Sequence, residues 1–214
     1  MNNTLYLASQ SSARHKLLTQ AKIPFIVVPT TVCEEEAEVS GTVHEQVQAL
    51  AEYKHDGIDV PAIVAHHSPD KARPLFFVSG DTLIAGVENG RLYGKPRNRA
   101  HAIEMIREIA QQQVDVVTGM CLSVWQYNPT TQQWQQSLRE TWQAGARATF
   151  IIEDDMIDEY LSACPAAMLA CGATVVEEIG IRGFSEMSGS YSGTLGIDIF
   201  GLYRRLKKHG FWHY

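Results

Sequence analysis

The chain opens on a short apolar run, residues 3–8, that breaks into serines and then resumes with apolar positions at helical spacing over 10–21. The change of period predicts a buried strand followed by a helix. PFIVVP (24–29) is a second short strand between prolines, and the acidic stretch TTVCEEEAEVSG after it reads as a loop. Val43, Val47, Leu50 and Ala51 recur at helical spacing, which predicts an amphipathic helix over 42–55. Lys54 falls four residues after Leu50, on the apolar face. A lysine there either snorkels to water or aims at a negative charge. Residues 57–74, with Pro61, Pro69 and Pro74, read as a connection. LFFVSGDTLIAGV (75–87) is an apolar strand interrupted at 79–82, and Glu88-Asn89-Gly90 is a hairpin signal because Asn-Gly tolerates positive φ. RLYGKP returns, and Ala102, Ile103, Ile106 and Ile109 share one face of a helix over 98–110. Two long strands, 114–126 and 138–152, meet at a polar turn around Asn128-Pro129. A helix with an acidic first turn covers 154–162, as the helix dipole favours. Residues 171–181 are short and partly extended, SGSYSGTLG is a turn-rich loop, and 197–208 is a last helix with basic residues near its end. Strands and helices alternate early, and the middle is a run of adjacent strands. The pattern is α/β with a mixed sheet.

Composition narrows the function more than the fold. The 214 residues suffice for one large domain or two small lobes with a real core. A formal net charge of −6 disfavours non-specific nucleic-acid binding, so a small anionic ligand needs a local basic pocket. No apolar run approaches membrane-spanning length, and MNNTLYLAS lacks the charged and apolar regions of a signal peptide. The cytoplasm is the expected compartment, with neither nucleic acid nor membrane as partner. Cys33, Cys121, Cys164 and Cys171 contain no C-x-x-C pair and read as buried free thiols. His66-His67 lies among prolines, where a solvated insertion over 60–73 is a better reading than a metal site.

The candidate chemistry gathers at a few turns. LASQSSARHKLL carries Ser9, Ser11 and Arg14 where a strand meets a helix. Free N–H groups and the positive end of the dipole suit an anion there, and Arg14 could add a forked donor. A plain serine N-cap would look the same. Asp81 follows a buried strand ending in Gly80, as a metal ligand, a base or a turn cap. Glu34, Glu35 and Glu36 offer hard oxygens of the kind Mg²⁺ takes, although such a run is usually a solvated surface. Lys95, between Gly94 and Pro96, makes a well-held point charge. Ser9, Ser11, Arg14, Lys54 and Lys95 for phosphates, with Glu34 and Asp81 for a metal, match phosphate-ester or anhydride chemistry.

LASQSSARHKLL, SGDTLIAGVENGRLYGKP, HAIEMIREI, VVTGMCLSVW and SGSYSGTLGI fall in the order and spacing of the Maf family, and the chain resembles that family over about residues 5 to 207. The resemblance implies a single Maf-like domain over 1–214. Its expected fold is an elongated, twisted mixed sheet with flanking helices and two lobes around a cleft, similar to inosine triphosphate pyrophosphatases. It implies a nucleoside triphosphate pyrophosphatase that cuts between the α- and β-phosphates with Mg²⁺ or Mn²⁺, and leaves room for a homodimer. By the same resemblance, Ser9, Ser11 and Arg14 are the phosphate turn, which then also caps the helix. Asp81, Lys54 and Lys95 are catalytic. Asp81 and Glu34 hold the metal, with Glu35 the rival of Glu34 by one residue. The family's usual proline and first arginine are Ser12 and Ala13 here, its late glutamine is Glu177, and a proline near the end is Asp198. Glu177 accepts only, which suits the N1–H and N2–H₂ donors of guanine and repels the O4 of uracil. With Gly94 and Ala13 it leans toward 7-methyl-GTP, whereas Thr82 resembles the branch that cleaves dTTP and UTP. Outside catalysis, the family's link to septum formation offers a nucleotide-sensing regulator of cell division.

Overall fold

All three residues of the first strand, β1 (Leu5–Leu7), are buried, as befits a strand with neighbours on both edges. In the computed structural model, which describes residues 3–33 and 37–212, β1 pairs in parallel with β2 (Phe25–Val27) and with β3 (Leu75–Gly86). The other strands are β4 (Leu92–Tyr93), β5 (Gln113–Asn128), β6 (Gln133–Phe150) and β7 (Phe184–Gly189). The seven strands among the described residues make one mixed sheet in the order β2-β1-β3-β5-β6-β7, with β4 pairing antiparallel to β3 and β7 antiparallel to β6.

The α-helices among the described residues are α1 (Ser12–Gln20), α2 (Val43–Asp56), α3 (Val60–His67), α4 (Arg99–Ile109), α5 (Ile157–Ala163), α6 (Tyr191–Thr194) and α7 (Ile199–Lys208). Side-chain caps set where most of them start. The box at α2 is reciprocal: Thr42 Oγ1 accepts from the Glu45 N–H, and Glu45 Oε2 accepts from the Thr42 N–H. Asp198, where the resemblance expects proline, accepts from the Gly201 N–H and from Trp142 Nε1–H at 3.1 Å each, so it caps α7.

Three sequence expectations change. The connection over 57–74 contains α3, which buries Val60 and Ile63; Asp59 caps it, and Pro61 lies in the first turn, where its missing N–H costs nothing. The expected interruption of β3 at 79–82 is absent, and the strand runs unbroken through Ser79, Gly80, Asp81 and Thr82. SGSYSGTLG is not all loop: its start belongs to β7, and Ser190 caps α6.

The chain divides into two compact units. The first is Met1–Asp81 with Gly119–Gln143 and Gly196–Tyr214, and the second is Thr82–Thr118 with Ala144–Leu195. β3, β5 and β6 contribute residues to both. In the first unit Tyr6, Phe77, Leu75, Val60 and Ile63 form an apolar core, with the Tyr6 and Phe77 rings stacked at 4.9 Å. In the second, the α4 face of Ala102, Met105, Ile106 and Ile109 packs with Tyr93, Phe150 and Tyr160. Ile103, assigned to that face from spacing, is only partly buried. Of the four cysteines expected to be buried, Cys121 and Cys164 are, whereas Cys33 is exposed and Cys171 half-buried. No helix among the described residues is long and apolar enough to cross a membrane.

Candidate active site

β1 ends at Leu7 while β3, its parallel partner, runs on. The last registered pair is Leu7 with Val78, and the Ala8 N–H donates to the Val78 carbonyl at 2.8 Å. The turn at Ser9 and the β3 residues Ser79, Gly80 and Asp81 therefore leave that pair in the same direction. The carboxyl end of parallel strands is where open α/β sheets bind ligands.

Ser11 is the N-cap of α1 and accepts from the Arg14 N–H at 3.4 Å. Ser9 Oγ accepts twice, from the Ser11 N–H at 3.2 Å and from Arg14 Nη1–H at 2.9 Å. A hydroxyl has two lone pairs and one proton, so what Ser9 can still offer is its proton. That suits a phosphate oxygen. Arg14 is buried rather than extended as a free fork: its Nε–H donates to the Gly196 carbonyl. It braces the turn and leaves a fixed positive charge behind Ser9.

Lys54 lies in the last turn of α2. The buried face of that helix is Val47, Ala51, Lys54 and His55, and Leu50, the expected neighbour of Lys54, is only half-buried. Lys54 Nζ donates to Asp81 Oδ1, and the two side chains are 9% and 12% exposed. Two buried unit charges demand each other, because either alone would be a costly desolvated ion. The approach of α2 depends on Gly119 of β5: a Cβ there would sit 2.5 Å from the Val47 carbonyl oxygen. Only glycine lets helix backbone lie that close to strand backbone.

Lys95, Thr82 and Glu177 belong to the second unit. Lys95 follows β4 and is exposed. Thr82 Oγ1 lies 2.7 Å from Thr118 Oγ1, which donates to the Gly193 carbonyl at 2.7 Å. Glu177 is half-buried and precedes a short 3-10 turn, Glu178–Arg182, without capping it through its side chain. Glu34, Glu35 and Glu36 lie outside the described residues.

A sequence model of the Maf-like protein family matches residues 4–209. The chain belongs to that family. It is similar to the dTTP/UTP pyrophosphatase of Neisseria meningitidis serogroup B, 28% identical with 98% of this chain and 95% of the relative covered. The dTTP/UTP pyrophosphatase of Halalkalibacterium halodurans is 29% identical over 97% of this chain and 96% of the relative. The nucleoside triphosphate pyrophosphatase of Legionella pneumophila is 28% identical over 94% and 92%. None of these names mentions a methylated guanine, so the leaning toward 7-methyl-GTP has no support from them.

In this Maf-like chain no cluster of three or more His, Cys, Asp or Glu among the described residues could hold a metal by itself. Asp81 is a single hard donor, anchored by Lys54. That fits a cation of the Mg²⁺ type, which takes one or two carboxylates and completes its shell with water and substrate phosphates. Sequence reasoning did not find His55, Ser79, Ser123 or Gly119. His55 reads as a routine basic residue in a helix's last turn, and small residues within apolar strands give no signal until their neighbours are known.

Proposed function

We propose that this chain hydrolyses the α–β phosphoanhydride of a nucleoside triphosphate, releasing a nucleoside monophosphate and pyrophosphate. The observation that carries the reading is the buried pair of Lys54, on α2, with Asp81, on the strand that neighbours β1 and its Ser9–Ser11 turn. Ser9 and Ser11 donate hydroxyl protons to phosphate oxygens, with the Arg14 charge behind them. Lys54 keeps Asp81 oriented, and its own charge offsets that of the triphosphate. Lys95, exposed to solvent, meets the polyphosphate as a point charge and stabilises the leaving pyrophosphate. Asp81, with Glu34 or Glu35, would hold Mg²⁺ or Mn²⁺; such an ion polarises phosphoryl oxygens and lowers the pKa of bound water.

For the base, the relatives' names favour dTTP and UTP, and Thr82 leans the same way. Glu177 favours a purine, because its carboxylate cannot donate to uracil O4, and Gly94 and Ala13 lean with it. The test is pyrophosphate release from UTP, dTTP, GTP and 7-methyl-GTP, with and without Mg²⁺. Metal-dependent release with the highest kcat/KM for UTP or dTTP is expected. A preference for 7-methyl-GTP that Glu177→Gln removes would overturn the pyrimidine assignment. Binding of all four without release would overturn the enzyme in favour of a nucleotide-sensing regulator.

A further inference from the structure

Directly under the Lys54–Asp81 contact lies a buried chain of hydrogen bonds in which each proton can be assigned. Ser79 Oγ donates to the Ala51 carbonyl at 2.7 Å, since a carbonyl only accepts. Ser79 must then accept from His55 Nδ1 at 3.1 Å, which puts the ring proton on Nδ1. On the far side Trp125 Nε1–H donates to Ser123 Oγ at 3.0 Å, and Ser123 Oγ lies 2.8 Å from His55 Nε2. A neutral imidazole accepts the Ser123 proton there, and every donor in the chain then has one acceptor. An imidazolium would aim a second N–H at Ser123 and displace that proton. Ser79 and Ser123 are 0% and 1% exposed, so no solvent relieves a mismatch. Burial pushes His55 down to about 4, with the Arg139 cation adding to the shift and Asp56 opposing it.

The placement gives the chain a consequence. His55 adjoins Lys54 on α2, while Ser79 and Asp81, two apart on β3, share one face of the sheet. α2 is thus bonded to β3 at His55–Ser79 and again at Lys54–Asp81. We propose that His55, as the Nδ1-protonated neutral imidazole held between Ser79 and Ser123, is a positioning residue that sets Lys54 against Asp81. The inference rests on the reading of Lys54–Asp81 as the reaction centre. His55 touches no substrate and acts only through its neighbour.

The test compares full-length wild type with His55→Asn, His55→Leu and Ser79→Ala, using whichever of UTP, dTTP, GTP and 7-methyl-GTP the wild type turns over fastest. Asn keeps an N–H donor where Nδ1 stands and is expected to hold kcat within about threefold. His55→Leu, with folding checked by circular dichroism, is expected to lose kcat by about 10–100-fold, the range a misplacement near 1 Å produces, with KM little changed. Its crystal structure should show Lys54 Nζ drawn off Asp81. If His55→Leu does not fold, Ser79→Ala, which removes only the β3 partner, is expected to lower kcat at least tenfold. Wild-type kcat in the folded His55→Leu or in Ser79→Ala, or an Asn variant as impaired as Leu, overturns the proposal. If wild type releases pyrophosphate from none of the four, the functional reading fails. The proposal is then decided by the position of Lys54 in crystals of whichever variant folds: a side chain still seated on Asp81 refutes it.

Discussion

Asp81 and Lys54 cannot be judged separately, because each is the other's reason for tolerating burial. Asp81→Asn keeps an oxygen that accepts from Lys54 but loses the charge a hard cation requires. Turnover at saturating Mg²⁺ is expected to vanish while circular dichroism stays native; a retained rate would remove Asp81 from the metal. Lys54→Met strands a buried carboxylate, and breaking such a pair costs about 3–5 kcal/mol. The double variant Lys54→Met, Asp81→Leu replaces both charges by apolar groups and is expected to regain most of that stability in urea unfolding without regaining activity. A double variant as unstable as the single would show that the two side chains are not coupled. Lys95→Ala separates the effects from the other side: the site is exposed, so stability should move by no more than about 0.5 kcal/mol. Pyrophosphate release should fall by about 10²–10³ if Lys95 stabilises developing charge. Lys54 was legible in the sequence because a charge on an apolar face needs a reason. His55, next to it, was not. Histidine is common at helix ends, and its meaning comes from Ser79 and Ser123, 24 and 68 residues away in sequence.

At the scale of elements, legibility followed local physics. Period, caps and turn residues located β1, α1, α2, α4, β5 and β6 because each of those signals acts within a few residues. α3 was missed because Pro61 and the two histidines look like loop chemistry, and only the burial of Val60 and Ile63 against Tyr6 and Phe77 makes a helix worthwhile there. The run from Ser79 to Thr82 looked like a break because glycine and aspartate are poor strand residues in isolation. The strand continues because α2 covers the Ser79–Asp81 face, and its close approach to the sheet is at Gly119. A Cβ on Gly80 would sit 2.9 Å from Met120 Sδ, the end of a side chain that can shift, and 3.0 Å from the Gly119 carbonyl oxygen, whereas one on Gly119 would sit 2.5 Å from the Val47 carbonyl oxygen of the helix. The two positions therefore should not respond alike. Gly119→Ala must push α2 outward, and is expected to lower Tm by several degrees and kcat by at least tenfold, since Lys54 travels with the helix. Gly80→Ala needs Met120 to shift and the Gly119 carbonyl to give only by tenths of an ångström, and should cost less on both measures. Equal tolerance at the two positions in paired thermal melts and kinetics would mean that α2 is not seated by Gly119.

For the molecule as a whole, the buried neutral His55 ties the stability of the first unit to pH. Its native pKa near 4 lies below the ordinary 6.5, so between those values the unfolded chain binds a proton that the folded chain refuses. Stability is then complete above pH 6.5, falls as the pH is lowered, and has lost this contribution once the pH passes below 4. The size follows from the shift, about 3 kcal/mol in total, with a slope of at most about 1.4 kcal/mol per pH unit. The described carboxylates that are held low, Glu45 by its bonds to Thr42 among them, lose their contribution mainly at the bottom of that window or below it. Glu140, held down by Lys208 and His209 against its own burial, and Asp154, held down by Arg107, lose their partners only at or below the ordinary carboxylate range. Tyr160, buried and pushed up, matters only in alkali. Urea unfolding at pH 7.0, 6.0, 5.0 and 4.5 should therefore show a progressive loss beginning near 6.5. His55→Asn has no ring to protonate and should flatten the profile over that range, whatever its stability at pH 7. A variant whose slope matches wild type would assign the acid sensitivity elsewhere and argue against a neutral His55 at the base of α2.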